Sequence, residues 1–265
     1  MFLEECEIIE NVKISADKFL LKVKSEKSFK CVKAGQFFML KCDSYLRRPI
    51  SVHYADKNIL EFYYQVKGNG TKYLSNLKKS DSINIQGALG NGFETNINNK
   101  NLLLVAGGMG IAPFKLLINN LIKNKNNIAL IFGGANESAI RIIEYFDTKN
   151  IKLYITTDDG SVGDKCNCVD KTKELLRENK FDLIYTCGPE IMMKGIIKLS
   201  LENNIKCFAS LERRMACGVN ACLGCNIEIL ENENTENTEN TKKNKYILKK
   251  VCHDGPVFDA KYLMV

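Results

Sequence analysis

The sequence predicts a three-part protein of the α/β plus β class, and three observations support that prediction. Short runs with period-two alternation fill residues 1–98, which indicates an N-terminal antiparallel β-barrel. Buried-type strands alternate with helical stretches over residues 99–212, which indicates a central doubly wound parallel αβ domain of five strands. Cysteines at a distinctive spacing mark residues 213–265 as a separate metal-binding segment.

The N-terminal region alternates apolar and polar residues in the stretches KISADKFLLKVKSE, AGQFFMLKC, ILEFYYQVKG and DSINIQGALG. Successive side chains of a strand point to opposite faces, so every second residue of each stretch can face a core. Turn residues separate the stretches at intervals typical of antiparallel sheets. An antiparallel barrel is the expected result.

The central region changes rhythm, with the strand-like runs LLLVAGG, IALIFGG, KLYITTD, FDLIYTCG and IKCFASLE. Strands of a parallel sheet are covered on both faces and are therefore continuously apolar. Helical stretches separate these runs, and right-handed crossovers bring the loops after the strands to one edge of the sheet. Ligands of such sheets bind at that edge, so we expect the binding loops there.

The C-terminal segment carries C-x4-C-x2-C followed by a distant fourth cysteine, the order of a plant-type [2Fe–2S] site. Gly218 and Gly224 supply backbone freedom where a side chain would crowd the cluster. A structural zinc site is the main alternative, although zinc sites usually show two separated CxxC pairs. Unligated cysteines are the other alternative. The predicted ligands are Cys217, Cys222, Cys225 and Cys252.

The turn VAGGMGIAPF ends the first parallel strand and opens a helix. Its glycines, Gly107, Gly108 and Gly110, let backbone N–H groups approach a pyrophosphate at a helix N-terminus. It is not the G-x-G-x-x-G fingerprint, so a packing role alone is a competing interpretation. CGPE and TTDDGS end two further strands at the same edge and favour a nucleotide crevice.

Two stretches of the N-terminal region favour phosphate binding. In LRRPISV, Arg48 precedes a proline and Ser51 follows, which suits bidentate phosphate binding with an added hydroxyl. In QVKGNGTKYLS, Gly70 and Thr71 offer backbone and hydroxyl donors. The competing interpretation of each stretch is a surface turn.

Composition excludes several functions. The net charge is +7, but lysines are interleaved with acids and no aromatic-basic stripe is present, so we expect no nucleic-acid partner. The apolar run from Leu102 to Phe114 is too short to span a bilayer, and acids stand where a signal peptide has basic residues. Eleven cysteines without a secretion signal indicate a reducing, cytoplasmic location.

Together, LRRPISV, GGMGIAPF, CGP and the cysteine segment resemble the ferredoxin–NADP reductase superfamily. Within it, SLERRMACGVNACLGC followed by CHDGPVF is similar to the electron-transfer subunits of class 1B dihydroorotate dehydrogenase, and the resemblance spans essentially the whole chain. It implies a barrel that binds FAD, a second domain that binds NAD, and a [2Fe–2S] cluster facing an FMN-containing catalytic subunit. It further implies a heterotetramer, with two copies of each subunit, and electron flow from dihydroorotate through FMN, cluster and FAD to NAD in pyrimidine biosynthesis.

The resemblance also implies roles for particular residues. The residues implied for FAD are Arg48, Pro49, Ile50, Ser51, Tyr63, Tyr64, Gln65, Gly70 and Thr71. The residues expected at NAD are Gly107, Gly108, Met109, Gly110, Asp158, Asp159, Cys187, Gly188 and Pro189. Acids in the TTDDGS loop accept hydrogen bonds from ribose hydroxyls and repel a 2′-phosphate, which predicts NAD over NADP. Family members usually continue that loop with G-x-K-G, whereas this chain has Cys166 and Cys168 there.

Two alternative functions follow from the same residues. A related NADH-dependent ferredoxin:NADP oxidoreductase subunit or a hydrogenase-linked diaphorase shares the three parts. A non-enzymatic redox-sensing or metal-binding module would need no nucleotide crevice, which the glycine turns argue against. The repetitive polar tract at residues 231–245 predicts a disordered loop. His53 and His253 are expected to be structural, since Rieske spacing is absent.

Overall fold

The computed structural model describes residues 2–231 and 246–263. Within these ranges the strands form an antiparallel sheet, a mostly parallel sheet and a two-stranded hairpin. Apart from Glu231, the polar tract that was expected to be disordered lies outside the described residues. Within the same ranges, no helix combines the length and apolar character that crossing a membrane requires.

The N-terminal region folds into an antiparallel sheet. Among the described residues it has seven strands in the order β4-β3-β7-β1-β2-β6-β5, and α1 connects β6 to β7. The elements are β1 (Phe2–Lys13), β2 (Lys18–Lys24), β3 (Phe37–Leu40), β4 (Arg48–Ser51), β5 (Tyr54–Asp56), β6 (Ile59–Gln65), α1 (Asn69–Asn76) and β7 (Ser82–Leu89).

The antiparallel sheet is strongly curled. Its edge strands, β4 and β5, are joined only by Val52 and His53. A flat sheet would hold those edges roughly 29 Å apart, whereas the connection spans at most about 11 Å. The amide of His53 donates to the carbonyl of Glu61 on β6 at 2.8 Å, across the junction. The expected closed barrel is therefore a curled sheet whose edges approach one another.

The central region forms the mostly parallel sheet, with β8, β9, β10, β11 and β12 in the order β10-β9-β8-β11-β12. The strands that follow β8 in the sequence are added first on one side of it and then, from β11 onward, on the other side. Ligands of such sheets bind in the crevice between β8 and β11, where the strand order switches. The elements are β8 (Asn101–Gly107), α2 (Phe114–Ile122), β9 (Asn127–Gly134), α3 (Glu137–Ile140), β10 (Lys152–Thr157), α4 (Cys168–Glu178), β11 (Leu183–Cys187), α5 (Glu190–Glu202) and β12 (Lys206–Ser210). Short 3₁₀ turns lie at Gly108–Ile111, Arg141–Tyr145 and Ala260–Tyr262.

Alternate residues of β8 explain why helices cover both faces of this sheet. Leu102 and Leu104 belong to the same buried cluster as Phe114 of α2, whereas Leu103 and Val105 pack in the cluster that contains Ile196 of α5. All four leucine and valine side chains are fully buried. The two-sided burial of a continuous apolar run agrees with the predicted arrangement.

The cysteine segment forms the hairpin of β13 (Asn226–Leu230) and β14 (Tyr246–Lys250), followed by β15 (Val257–Asp259). β15 pairs antiparallel with β12, so the described parallel sheet gains a sixth strand from the C-terminal segment. Five strands of this sheet are parallel among the described residues, the number that the sequence predicts. The C-terminal segment contributes the antiparallel sixth strand.

Candidate functional site

A cavity of about 260 Å³ opens beside β4 and β6 of the curled sheet. We call it the smaller cavity. Every residue implied for FAD lines it except Gly70. The remaining lining residues are Phe37, Lys67, Met109, Ala112, Leu211, Glu212, Arg213, Met215 and Pro256.

Gly70 contributes to the smaller cavity indirectly. A Cβ atom at Gly70 would collide with the guanidinium of Arg48, so the absence of a side chain lets Arg48 pack against the first turn of α1. The Arg48 Nη1 donates to the carbonyl of Leu46 at 2.6 Å. The hydroxyl oxygen of Thr71 accepts from the amides of Lys67 at 2.9 Å and Gly68 at 3.2 Å, so it holds the turn before α1.

Two tyrosines form the buried wall of the smaller cavity. Burial raises the pKa of Tyr63 and of Tyr64 well above the ordinary phenol value, so both are neutral at physiological pH. The Tyr64 hydroxyl donates to Asn11 Oδ1 at 3.3 Å, and its ring stacks on Phe19 at a centroid distance of 5.9 Å. The wall is apolar and fixed, which suits a planar aromatic ring.

A second cavity of about 780 Å³ lies between the carboxyl ends of β8 and β11. We call it the larger cavity. The predicted residues that line it are Gly107, Gly108, Met109, Gly110, Gly188 and Pro189. The two turns also pack on each other, because a Cβ at Gly110 would collide with the carbonyl of Cys187. The glycines therefore both pack the two turns together and line the cavity. The nucleotide-binding and the packing interpretations of the motif are thus compatible.

Three residues expected at NAD lie elsewhere. Cys187 is buried, only its backbone meets the glycine turn, and burial raises the pKa of its thiol to about 12. Asp158 and Asp159 are exposed at the carboxyl end of β10 and line neither cavity. Their amides donate to the carbonyls of Gly134 and Ala135, at 3.1 Å and 3.3 Å.

The two cavities share a wall. The shared residues are Gln65, Lys67, Met109, Leu211, Glu212 and Arg213. Leu211, Glu212 and Arg213 directly follow β12, the parallel strand next to β11. Groups bound in the two cavities would therefore both lie next to residues 211–213, which lead into the cysteine loop.

In the cysteine loop, backbone amides are directed at a thiol. Cys217 Sγ accepts from the amides of Val219 at 3.5 Å and Cys222 at 3.3 Å. Burial alone raises the pKa of Cys217, but these amides outweigh it, and the pKa falls to about 7. The loop therefore favours the thiolate, which is the form that binds metal.

The hairpin explains how a distant cysteine joins the others. Asn226 pairs with Lys250, and the amide of Val251 donates to the carbonyl of Cys225 at 3.1 Å, so Cys225 and Cys252 lie side by side. Burial, together with the neighbouring thiols of Cys225 and Cys217, raises the pKa of Cys252 to about 11, which agrees with the three thiols lying near one another.

The cysteine loop fits a two-iron cluster. Among residues 2–231 and 246–263, no group of three metal-binding side chains is close enough to enclose a single ion. A two-iron cluster distributes its four thiolates over two metals, so its site is compatible with that wider spacing. Gly218 has φ +68° and a Cβ there would meet Met39 Sδ at 2.7 Å, so the loop requires glycine at this position. Gly224 carries no such restriction, since its Cβ would meet only Cys222 Sγ at 3.6 Å.

The cysteine segment is fastened to the loop after β7 by Asn91. The Asn91 amide nitrogen Nδ2 donates to the carbonyls of Asp254 at 2.8 Å and Val257 at 3.0 Å, and its Oδ1 accepts from the amide of Val257 at 3.0 Å. The backbone amide of Asn91 donates to Gly255 at 2.6 Å. Pro256, within the fastened stretch, lines the smaller cavity.

His53 lies at the junction of the curled sheet and the parallel sheet, fully buried. Its Nδ1 donates to the carbonyl of Ala112 at 2.7 Å, and its own carbonyl accepts from the amide of Leu116 at 3.1 Å. Burial and the nearby Lys115 lower the pKa of His53 to about 3, so the ring is neutral. The arrangement agrees with the expected structural role.

Comparison with known proteins places these features in a family. The profile described as "Iron-sulfur cluster binding domain of dihydroorotate dehydrogenase B" matches residues 212–264, and that described as "Oxidoreductase NAD-binding domain" matches residues 104–198. The chain is 37% identical over 232 residues to the dihydroorotate dehydrogenase B (NAD(+)) electron transfer subunit of Caldanaerobacter subterraneus subsp. tengcongensis, covering 87% of this chain and 86% of the relative. It is 34% identical over 261 residues to the same subunit of Clostridium acetobutylicum, covering 97% and 96%.

The chain belongs to the family of dihydroorotate dehydrogenase B electron transfer subunits. A solved NADH-dependent reduced ferredoxin-NADP oxidoreductase, studied for flavin-based electron bifurcation, superimposes with a TM-score of 0.82 at 29% identity, covering 97% of this chain and 88% of that one. A ferredoxin NADP+ reductase from Neisseria gonorrhoeae with bound FAD and NADP superimposes at 0.64 with 18% identity, covering 76% and 91%, and it shares the fold. The resemblance to this family is confirmed, and the chain is an oxidoreductase subunit.

The sequence did not identify several cavity residues of this family member. Leu211, Glu212 and Arg213 could have been found, because they follow a parallel strand at the carboxyl edge. Lys67 carried no such signal, because β6 before it belongs to the antiparallel sheet. Pro256 had no local signal, since its position depends on the pairing of β15 with β12.

Proposed function

We propose that this chain passes electrons from the FMN of a dihydroorotate dehydrogenase catalytic subunit, through its own [2Fe–2S] cluster and FAD, to NAD+ in pyrimidine biosynthesis. The observation that carries the proposal is the wall shared by the two cavities, which continues into the cysteine loop within a few residues. A flavin exchanges a hydride with NAD and single electrons with a [2Fe–2S] centre, which is why all three groups are needed.

The smaller cavity would hold FAD. Tyr63 and Tyr64 give a rigid apolar wall, and Arg48 is a permanent cation at the edge. The first amides of α1 have no partner within the helix, which suits a phosphate next to Arg48. Ser51 adds a hydroxyl to the wall. These residues bind and orient the ring and exclude water from one face.

The larger cavity would bind NAD. The turn at Gly107–Gly110 offers backbone amides to a pyrophosphate, and Gly188 and Pro189 border the same space. Met109 and Gln65 line both cavities, so they would contact the FAD and the NAD held there. Asp158 would reach the adenosine ribose from the edge of the sheet, although it lies outside the cavity wall.

The cysteine loop would hold the cluster. Cys217, Cys222, Cys225 and Cys252 supply the thiolates, and amides of Val219 and Cys222 stabilise the charge of one of them. We further propose that the protein is cytoplasmic and that its domains span residues 1–98, 99–212 and 213–265. The complex would contain two copies of each subunit.

The test is to purify the chain alone and with the co-expressed catalytic subunit. We expect FAD and two irons per chain in the isolated subunit, FMN only with the partner, and NADH formation from dihydroorotate only in the complex. Arg48→Ala should lower the FAD content while the iron remains. Finding only FMN in the isolated chain, or no iron, would contradict the proposal.

A second candidate is a subunit of an NADH-dependent ferredoxin:NADP oxidoreductase, favoured by the superposition at 0.82. The identity to that chain, 29%, is lower than the 37% to the dihydroorotate dehydrogenase B subunit. Co-purification distinguishes them. Association with a dihydroorotate-oxidising subunit supports the first function, and reduction of ferredoxin without that subunit supports the second.

A further inference from the structure

His53 is the buried titratable group that the function described above leaves unused. Its side chain is completely buried, although histidine is more often found partly exposed. The imidazole Nδ1 is bonded to Ala112, whereas Nε2 has no hydrogen-bond partner among the described residues. A polar ring in such a place needs an explanation beyond filling space.

The ring of His53 joins two chain segments that lead into the cavity walls. Two residues before it, Ser51 lines the smaller cavity. The carbonyl that it binds belongs to Ala112, which lines the smaller cavity at the end of the glycine turn, three residues after Met109 in the shared wall. One hydrogen bond of 2.7 Å therefore fixes the link between β4 and β5 to the residue that directly follows the 3₁₀ turn Gly108–Ile111.

Aromatic side chains from two different domains pack against the ring of His53. Tyr63, in the wall of the smaller cavity, lies at a centroid distance of 5.9 Å, and Phe146, from the parallel-sheet domain, lies at 5.4 Å. A salt bridge of 2.7 Å between Lys115 and Glu61 crosses the same junction beside the ring. The imidazole is therefore held between the wall of the smaller cavity and the parallel-sheet domain.

We propose that His53 is a positioning residue that sets the distance between the flavin site and the nicotinamide site, and so the rate of hydride transfer. The inference rests on the proposed function. Positioning acts on the geometry of reaction, so a shift of the walls should lower the rate at saturating substrate more than the affinity. His53 lines neither cavity, so it is not itself a catalytic residue.

The test compares His53→Leu with His53→Asn in the full chain loaded with FAD. Leucine retains the apolar packing but cannot bind Ala112, whereas asparagine keeps a donor near the position of Nδ1. We expect the reduction of bound FAD by saturating NADH to slow roughly tenfold in His53→Leu and to recover mostly in His53→Asn. Lys18→Met is the matched control, because Lys18 donates across the same junction, to Ala139 at 3.3 Å, and lines neither cavity.

Two readouts besides the rate separate positioning from general loosening. Calorimetric affinity for ADP-ribose, which lacks nicotinamide, should be unchanged in His53→Leu, as should the FAD content. The change that NAD+ binding causes in the flavin absorption spectrum should weaken, because it reports contact between the rings. A parallel loss of ADP-ribose affinity and FAD would overturn the inference in favour of a purely structural role.

The remaining outcomes are also decisive. Equal rates in wild type and His53→Leu would overturn the inference and leave the proposed function standing. Failure of NADH to reduce the flavin of the wild-type chain would count against the proposed function itself. If His53→Leu does not accumulate, His53→Gln replaces it, because its amide is displaced by one bond from Ala112. Equal rates in His53→Gln and His53→Asn would then overturn the inference.

Discussion

The cysteine loop and the glycine-lined larger cavity would hold their proposed groups in opposite ways. The loop offers four cysteine side chains, three close in sequence and the fourth brought near by the hairpin. The larger cavity offers mainly backbone at the ends of β8 and β11, where glycines leave it uncovered. We therefore expect the cysteine loop to lose its cluster when a thiol is removed. We expect the larger cavity to lose nucleotide binding when a side-chain atom is added to a glycine.

The difference also concerns how each region is supported. The loop depends on Asn91 and on the pairing of β15 with β12 for its position, both remote in sequence. The larger cavity depends on the packing of two neighbouring turns, Gly107–Gly110 and Cys187–Pro189, which follow adjacent strands.

The largest effect is expected from Cys252→Ser. A serine oxygen is a poor replacement for a thiolate at iron, so we expect loss of most cluster iron and of its visible absorbance. FAD content should remain near that of wild type, because the smaller cavity is lined by Pro256 and not by Cys252. Iron analysis and an absorption spectrum measure both.

The matched control for that loss is Cys207→Ser. Cys207 is buried on β12, outside the cysteine loop and its hairpin, so we expect it to be a core thiol and not a ligand. The variant should keep its iron. A full cluster in Cys252→Ser would require another fourth ligand and would remove the distinction between loop and cavity.

Gly110→Ala tests the opposite principle, that an added atom disables the cavity. The new Cβ would overlap the carbonyl of Cys187, so the turns must separate at a cost of about 1–3 kcal/mol. We expect kcat/KM for NADH to fall by roughly 10²-fold, measured with an artificial acceptor. Gly108→Ala is the comparison, because nothing lies within 4 Å of a Cβ there, although its φ of +52° makes alanine mildly strained. Similar losses in both variants would show that strain rather than contact between the turns governs the cavity.

The junction between the regions should respond to pH through His53. Its pKa is about 3 when folded, below the ordinary value of about 6.5, so only the unfolded chain takes up a proton between these values. The contribution of His53 to the free energy of unfolding is therefore fully present above about pH 6.5 and is lost as the pH falls toward 3. We expect urea unfolding to show a loss of about 2 kcal/mol between pH 7 and pH 5. His53→Asn should lack this part of the slope, and an identical slope in the variant would assign it to other groups.

The sequence predicted the parts of the molecule that depend on local patterns. The cysteine spacing, the five parallel strands and the glycine turns follow from neighbouring residues, and the structure brings Gly107 and Gly188 to one cavity as expected. Likewise, the stretch RPIS was expected beside FAD, and it lines the smaller cavity.

The parts that the sequence did not predict depend on contacts between distant segments. A three-residue strand such as β15 carries no period that assigns it to a sheet, so its pairing with β12 was missed. The curling of the antiparallel sheet depends on the two-residue link through Val52 and His53, which local alternation does not reveal. Pro256 and Asn91 follow from that same long-range assembly.

The smallest effect that we expect concerns the choice between NAD and NADP. Here acidic side chains after β10, at the edge of the sheet, add negative charge near the backbone-lined cavity. The Ser161 hydroxyl and then its backbone amide, which donates to Asp159 Oδ1 at 2.9 Å, lower the pKa of the Asp159 carboxyl and shape the turn. The Asp158 carboxylate has no hydrogen bond among the described residues, so it is the one available to a ribose. A 2′-phosphate beside it would meet a like charge, weakened by solvent at so exposed a position.

We therefore expect a preference for NADH over NADPH of roughly tenfold in kcat/KM, most of which Asp158→Ser should remove. Asp159→Asn should leave it nearly unchanged, because an amide oxygen can still accept from Ser161. Adding Asp159→Arg to Asp158→Ser should improve NADPH further, since a guanidinium binds phosphate. Equal kcat/KM for the two nucleotides in the wild type would show that Asp158 lies beyond the reach of the ribose. Specificity would then belong to the backbone turns alone.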